Sequence, residues 1–127
     1  MLHHLTLWVP DLKRTVPSWT WLLAALGYEA DATVDRLLVF RRGAFALVLE
    51  ESDDMVPGML YSRMRPGMNH VAFALDSPEV FERVVAEAPS HGWSPLPVDR
   101  HPIAGGSQVA YFEDRNGFEV ELVAPSN

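Results

Sequence analysis

Two of the five histidines in this 127-residue chain stand where they could bind a metal ion. His4 and His70 each begin a segment in which bulky apolar residues alternate with other residues, as in a half-buried strand. Alternation places both histidines on the face opposite the bulky residues. On two later strands it places Glu50, Glu119 and Glu121 on the corresponding face. Two imidazoles and one carboxylate on rigid strands form a facial set that suits Fe(II), Mn(II), Ni(II) or Zn(II). Without a metal, the same groups would form a hydrogen-bonded cluster.

The composition restricts the chemistry and the partners. The chain has no cysteine, which excludes disulfides, thiolate zinc sites and cysteine nucleophiles, so a metal must be held by His, Asp or Glu. The net charge of -7 and the lack of a basic run argue against nucleic acid as a partner. The amino-terminal residues show neither a signal peptide nor an apolar span, so we expect a cytoplasmic protein with no membrane partner.

The sequence consists of two halves that repeat one pattern, within what we expect to be a single domain. Each half begins with a strand headed by a histidine and continues into a helix with a capping residue, Asp11 in the first and Ser77 in the second. Three strand-like segments follow each helix. The pattern predicts two βαβββ modules, at about 1–51 and 69–124, with a linker at about 52–68.

Two such modules predict an α+β fold in which a curved, cup-like mixed sheet carries its helices on the outer face. The concave face, opposite the helices, is then available for a small-molecule ligand. By alternation, Glu50 and Glu121 point to this concave face. Glu119, which lies close to the start of its strand, is expected to be exposed.

Three segments resemble the vicinal oxygen chelate superfamily, which includes glyoxalase I, extradiol dioxygenases, fosfomycin-modifying enzymes and bleomycin-binding resistance proteins. They are HLTLWVPDL, NHVAFAL and FEDRNGFEVEL, at residues 4–12, 69–75 and 112–122. The resemblance covers nearly the whole chain. It implies that His4, His70 and Glu121 occupy the metal-ligand positions of the metal-dependent members, and that the protein forms a homodimer.

The chain also departs from individual members of that superfamily. A fourth ligand of glyoxalase I is a carboxylate, and the position that best matches it here is Val48, with Glu50 two residues later on the same face. Glu50 is therefore a possible fourth ligand, a base or neither. The loop that grips a phosphonate in fosfomycin enzymes is basic and rich in serine, whereas residues 101–107 read HPIAGGS, which argues against that activity.

Two functions fit the sequence. The first is a metal-dependent enzyme that binds two neighbouring oxygens of a small substrate, as an isomerase, a lyase or a dioxygenase. Glu50 is then the candidate base, with Tyr111 and His101 as helpers; the resemblance and alternation both point Tyr111 into the concave face. The second is a non-catalytic protein that sequesters a planar drug-like compound on Trp8, Trp93, Tyr111 and the Met-rich segment 55–68.

Overall fold

The computed structural model describes residues 1–98 and 104–126, and the chain divides into two compact units, Met1–Leu60 and Tyr61–Asn127. The boundary between the units lies inside the segment that the sequence predicts as a linker. Each unit contains one strand, one α-helix and three further strands, in that order. The α+β class and the two βαβββ modules predicted from the repeat are confirmed.

Unit one forms a four-stranded sheet in the order β1-β4-β3-β2, with β1 parallel to β4 and the other pairs antiparallel. Its elements are β1 (His4–Trp8), α1 (Leu12–Ala25), β2 (Glu29–Val34), β3 (Leu37–Arg42) and β4 (Phe45–Glu50).

Helix α1 begins and ends where its sequence signals stand. The Asp11 carboxylate accepts the N–H of Arg14 and so satisfies one of the free donors at the helix start. Gly27 follows the last turn with a φ of +88°, a left-handed conformation that glycine adopts without strain. The buried residues of α1 are Thr15, Trp19, Leu22 and Leu23.

Strand β2 lies at an edge of the unit-one sheet, and all six of its residues are exposed. Its pairing with β3 shifts register between Ala30 and Ala32, which is the mark of a β-bulge. The extra residue, Asp31, forms an ion pair with Arg41 on β3. Among residues 1–98 and 104–126, β2 is paired along one side only, with β3.

Unit two repeats the topology with the order β5-β8-β7-β6, in which β5 is parallel to β8. Its elements are β5 (His70–Ala74), α2 (Pro78–Glu87), a short 3-10 helix (Ala88–His91), β6 (Ser94–Leu96), β7 (Val109–Glu113) and β8 (Glu119–Val123). The Ser77 side chain caps α2 by accepting the N–H of Val80, and Pro78 is the first helical residue, as the sequence predicts.

The predicted alternation is clear in β1, where Leu7 is buried, whereas His4, Thr6 and Trp8 are exposed. In β4 and β8, however, burial extends to both faces. Residues 46–49 of β4 are all buried, and in β8 Glu121 is buried together with its neighbours Val120 and Leu122. Among residues 1–98 and 104–126, no helix is both long and apolar enough to cross a membrane.

Candidate functional site

The candidate site of unit two is built on the parallel pair β5 and β8. His70 lies opposite Glu119 in the register, and Ala72 lies opposite Glu121, so the four side chains share one face of the sheet. His70 Nε2 is 3.1 Å from Glu121 Oε1. The structure therefore brings together two of the residues that the sequence predicts as metal ligands.

Glu121 is a carboxylate in a buried position, since only 7% of its side chain is exposed. A buried carboxylate without a partner is costly, because it loses its water without gaining an opposite charge or donor. The small side chain of Ala72, directly opposite in the register, leaves the carboxylate open toward His70. His70 is the partner that the structure supplies to Glu121 at Oε1.

The other ring nitrogen of His70 faces two oxygen atoms. His70 Nδ1 is 2.7 Å from Asn69 Oδ1 and 3.2 Å from Glu119 Oε2. The Asn69 amide is itself anchored, because its Nδ2 donates to the backbone carbonyl of Arg63 at 3.0 Å. The imidazole is thus held at both nitrogens, between Glu121 on one side and Asn69 with Glu119 on the other.

The sequence predicted that Glu119 would be exposed, and this prediction is wrong. Only 13% of its side chain is accessible. Arg63 covers it, with Nε 3.4 Å from Glu119 Oε1, and Arg63 also forms an ion pair with Glu113 on β7. Glu113 and Glu119 are opposite each other in the β7–β8 register, so the guanidinium offsets the repulsion between two neighbouring carboxylates. Alternation alone placed Glu119 on the site face, but nothing in the sequence indicated that Arg63 would reach it.

Residues 61–69 form a folded segment of unit two. The Tyr61 ring stacks on Phe118, with centroids 4.2 Å apart, and its hydroxyl donates to the Met68 carbonyl. Burial, followed by the negative charge of Glu119, raises the pKa of Tyr61 above its usual 10.0, so the hydroxyl remains a donor at neutral pH. These contacts hold the segment in the conformation that presents Arg63 to the acidic pair.

Tyr111 stands beside His70 as the sequence predicts. It is 3% exposed, it pairs with Glu121 in the β7–β8 register, and its ring meets the His70 ring edge-on at 5.8 Å. A cavity of about 250 Å³ adjoins this cluster. Its wall contains Arg63, Met64, Asn69, Leu96, Pro97, Tyr111 and Glu119.

The turn before β8 explains the spacing of the last motif. Asp114 is buried, and its Oδ1 accepts the N–H groups of Asn116 and Phe118, each at 2.9 Å. Gly117 has a φ of +88°, which a side chain would strain. This turn fixes the start of β8 and therefore the β7–β8 register, which sets Glu121 opposite Tyr111.

In unit one, His4 begins β1 and is exposed. Its Nδ1 is 2.8 Å from Nδ1 of His3, and the two rings meet edge-on at 5.1 Å. A hydrogen bond at this distance requires one nitrogen to donate and the other to accept, so these two rings hold opposite protonation at Nδ1. The Nε2 atom of His4 is the nitrogen that remains available for another partner in this arrangement.

Glu50 lies at the end of β4, where its Oε1 accepts the N–H of the Trp8 indole at 2.8 Å. Trp8 and Glu50 are register partners, and 46% of Trp8 is exposed. Val48, two residues earlier, is buried. The Glu50 carboxylate therefore already accepts one hydrogen bond. The position that the resemblance matches to the fourth metal ligand carries the apolar side chain of Val48.

His101 lies outside the described residues. Within residues 1–98 and 104–126, no three His, Asp or Glu side chains are grouped as a metal site. The His70–Glu121 pair supplies an imidazole and a carboxylate, two groups of the kind that bind divalent ions, at a hydrogen-bonding separation of 3.1 Å.

Comparison with known proteins agrees with this architecture. Residues 3–111 match the family model of the Glyoxalase/Bleomycin resistance protein/Dioxygenase superfamily. The Bacillus subtilis (strain 168) protein YqjT, which is uncharacterised, is 33% identical over 127 residues, spanning 98% of this chain and 99% of the relative.

Solved structures show the same fold. A proposed glyoxalase from Bacillus halodurans has a TM-score of 0.86 at 35% identity, with 98% of this chain and 96% of that chain covered. The fosfomycin resistance protein FosX from Listeria monocytogenes has a TM-score of 0.64 at 26% identity, with coverage of 99% and 93%. FosX from that organism has also been solved with Mn(II) and sulfate. Family match, relative and fold together establish that this chain belongs to the glyoxalase/bleomycin resistance protein/dioxygenase superfamily.

Proposed function

We propose that the protein is a metal-dependent enzyme that acts on a small substrate by binding two of its neighbouring oxygens. His4, His70 and Glu121 are the proposed ligands of one divalent ion, Zn, Ni, Mn or Fe(II). The observation that carries the proposal is the 3.1 Å separation between His70 Nε2 and the buried Glu121 Oε1.

The oxygen atoms that surround the His70 ring support a cation between these two atoms. A neutral imidazole carries one N–H, and the acceptors Asn69 Oδ1 and Glu119 Oε2 both face Nδ1. With the proton at Nδ1, the lone pair of Nε2 points at a carboxylate oxygen. Two acceptors at this distance repel each other unless a proton or a metal ion lies between them.

His4 is included because it occupies in unit one the position that His70 occupies in unit two. Each histidine begins the first strand of its unit, and each such strand is parallel to the last strand. His4 is exposed, which agrees with a ligand role because its ring is accessible to a metal ion. Mn(II) is the ion in a FosX structure from Listeria, so it is the first ion to test.

The bound metal would act as a Lewis acid toward two substrate oxygens, and would leave positions open for them. The chain would supply the proton transfers. Tyr111, in the wall of the cavity beside His70, is proposed to orient or protonate a substrate oxygen. Glu50 is the proposed base, and the indole N–H of Trp8 would hold its carboxylate in place. His101 is a proposed helper on the basis of its sequence position.

A homodimer, which the superfamily resemblance implies, and a cytoplasmic location, which the amino-terminal sequence led us to expect, belong to the same proposal. Sedimentation equilibrium at micromolar concentration tests the second point. A species of twice the 14.2 kDa chain mass is expected, and a monomer would contradict it.

The second candidate is a binding protein that sequesters a planar small molecule without chemistry. Exposed apolar side chains favour it, because Trp8, Met59 and Met64 are 46%, 61% and 81% exposed. Such side chains adapt to flat apolar ligands. The buried carboxylate of Glu121 favours the enzyme instead, since a pure binder gains nothing from that costly group.

Elemental analysis of untagged protein, purified without chelator and then incubated with Mn(II), tests the enzyme. Near-stoichiometric metal is expected for the wild type and loss of metal for His4→Ala, His70→Ala and Glu121→Ala. His91→Ala, at an exposed residue of the 3-10 helix, is the matched control and should keep the metal. If the wild type retains no Mn(II), Zn(II), Ni(II) or anaerobic Fe(II), the metal proposal fails and the binding protein is favoured.

A further inference from the structure

The sequence assigns no role to Asn69, yet this residue links the folded segment 61–69 to the candidate ligand His70. Its Nδ2 donates to the Arg63 carbonyl at 3.0 Å, and its Oδ1 lies 2.7 Å from His70 Nδ1. Asn69 precedes β5 directly, so its backbone is fixed by the start of that strand. It is an exposed residue, and so its side chain is not forced into this position by burial.

The orientation of the Asn69 amide follows from the chemistry of its partners. A backbone carbonyl only accepts hydrogen bonds, so the amide nitrogen must be the atom that faces Arg63. The amide oxygen then faces His70, and it also only accepts. The hydrogen of a neutral His70 imidazole must therefore sit on Nδ1 to make this bond.

We propose that Asn69 is a positioning residue that selects the Nδ1–H tautomer of His70 and so leaves the Nε2 lone pair directed toward Glu121. The Arg63 carbonyl determines that the amide nitrogen of Asn69 faces it, and the amide oxygen then determines which nitrogen of the His70 ring must donate. Glu119 Oε2, at 3.2 Å, supports the same tautomer as a second and longer acceptor. A histidine that binds a metal through Nε2 needs this arrangement, because outer partners fix the tautomer and the ring orientation.

The opposite tautomer of His70, with the hydrogen on Nε2, would also have a hydrogen-bond acceptor. With the hydrogen on Nε2, the ring would donate to Glu121 Oε1 at 3.1 Å. Nδ1 would then face two acceptors, Asn69 Oδ1 and Glu119 Oε2, without a hydrogen. In metal-free protein each neutral tautomer thus leaves one nitrogen lone pair against oxygen, Nε2 against Glu121 in the Nδ1–H form and Nδ1 against Asn69 and Glu119 in the Nε2–H form. Loss of the Asn69 acceptor removes one of the two oxygens that disfavour the Nε2–H form, and so shifts the balance toward it.

The tautomer is measured in metal-free protein by long-range 1H–15N correlation spectra of the imidazole rings, at a pH where His70 is neutral. His70→Gln identifies the His70 signals by their absence, and His91 serves as an internal reference. We expect the Nδ1–H pattern in the wild type and in Asn69→Asp, which keeps an acceptor. We expect a shift toward Nε2–H in Asn69→Ala. An Nε2–H pattern in the wild type, or an unchanged pattern in Asn69→Ala, would overturn the proposal.

The relevance to the metal is tested separately, because this part rests on the proposed function. Mn(II) affinity is measured from the electron paramagnetic resonance signal of the free ion. Asn69→Ala should bind Mn(II) about 10-fold or more weakly than the wild type, in the range of other outer-partner substitutions, and Asn69→Asp should restore binding. Unchanged affinity in Asn69→Ala would show that Asn69 does not act on the metal. A wild type that binds no Mn(II) but shows the Nδ1–H form would contradict the metal site and leave the tautomer assignment intact.

Discussion

Glu121 and Val48 hold the same place in the two sheets. Glu121 on β8 pairs with Ala72, and Val48 on β4 pairs with Thr6, in each case two residues after the histidine that begins the partner strand. Both strands occupy the second place in their sheet order. At this position one repeat has a carboxylate and the other an aliphatic side chain, so the two units differ in chemistry while sharing a topology.

This difference predicts an unequal tolerance for charge. Val48→Glu should lower the free energy of unfolding by about 1–3 kcal/mol, because Val48 is 8% exposed and its new carboxylate would be desolvated. Thr6→Glu adds the same charge at the exposed register partner, and should change stability by less than about 0.5 kcal/mol. Urea unfolding measures both. Equal losses in the two variants would contradict the burial of position 48.

Arg63 is expected to stabilise unit two through the acidic pair on β7 and β8. Arg63→Met keeps an aliphatic stem but removes the guanidinium, and we expect a loss of about 1.5–3 kcal/mol in urea unfolding. The effect should depend weakly on salt, because the side chains of Arg63 and Glu119 are only 24% and 13% exposed. Arg83→Met, at an exposed residue of α2, is the control and should have little effect. If Arg63→Met loses no more free energy of unfolding than this control, the role assigned to Arg63 is refuted.

The Asp114 turn should be a major determinant of β8. Asp114→Ala removes the acceptor for two backbone N–H groups, those of Asn116 and Phe118, and should lower the free energy of unfolding by about 3 kcal/mol. Asp114→Asn retains an oxygen acceptor and should lose less. Asp54→Ala, at an exposed carboxylate, controls for the change in net charge. A thermal melt in which Asp114→Asn and Asp114→Ala behave alike would contradict this account.

The start of α2 predicts a dependence on pH. The hydrogen bond from the Ser77 hydroxyl lowers the pKa of Glu79 below its usual value. Because the folded-state pKa is the lower one, this contribution to stability is present above the unfolded-state pKa and is lost as the pH falls through the folded-state pKa. Ser77→Ala should raise the pKa of Glu79 in an NMR titration.

The same variant also loses the cap itself. At neutral pH, Ser77→Ala should lower the free energy of unfolding by about 1 kcal/mol, since the N–H of Val80 loses its acceptor. The difference from the wild type should narrow in acid, where Glu79 is protonated. Ser90→Ala, in the exposed part of the 3-10 helix, is the control and should show no pH-dependent difference.

Local signals in the sequence were sufficient for the elements. Asp11 and Ser77 each carry a side chain that can cap a helix, and each does so. The alternation of Leu7 with Thr6 and Trp8 assigned the faces of β1, since a strand has a strict two-residue period. Such features depend on residues within a few positions of each other.

The network around His70 could be predicted only in part. Glu121 was assigned from strand alternation and resemblance, and it does lie against His70. The predicted linker instead supplies Arg63 to the site, where Arg63 reaches a carboxylate 50 positions away. Asn69, the residue that follows this linker, was given no role in the site. Contacts at that separation depend on how a loop folds back, which local propensity does not determine.

The bulge in β2 has a consequence for behaviour in concentrated solution. An open strand edge is a template on which other chains can add strands and grow into fibrils. The register shift at Ala30–Ala32 interrupts the regular spacing of hydrogen-bonding groups along this edge, and Asp31 places a charge at the interruption. The strand is thereby protected from runaway edge-to-edge assembly, although all of its residues are exposed.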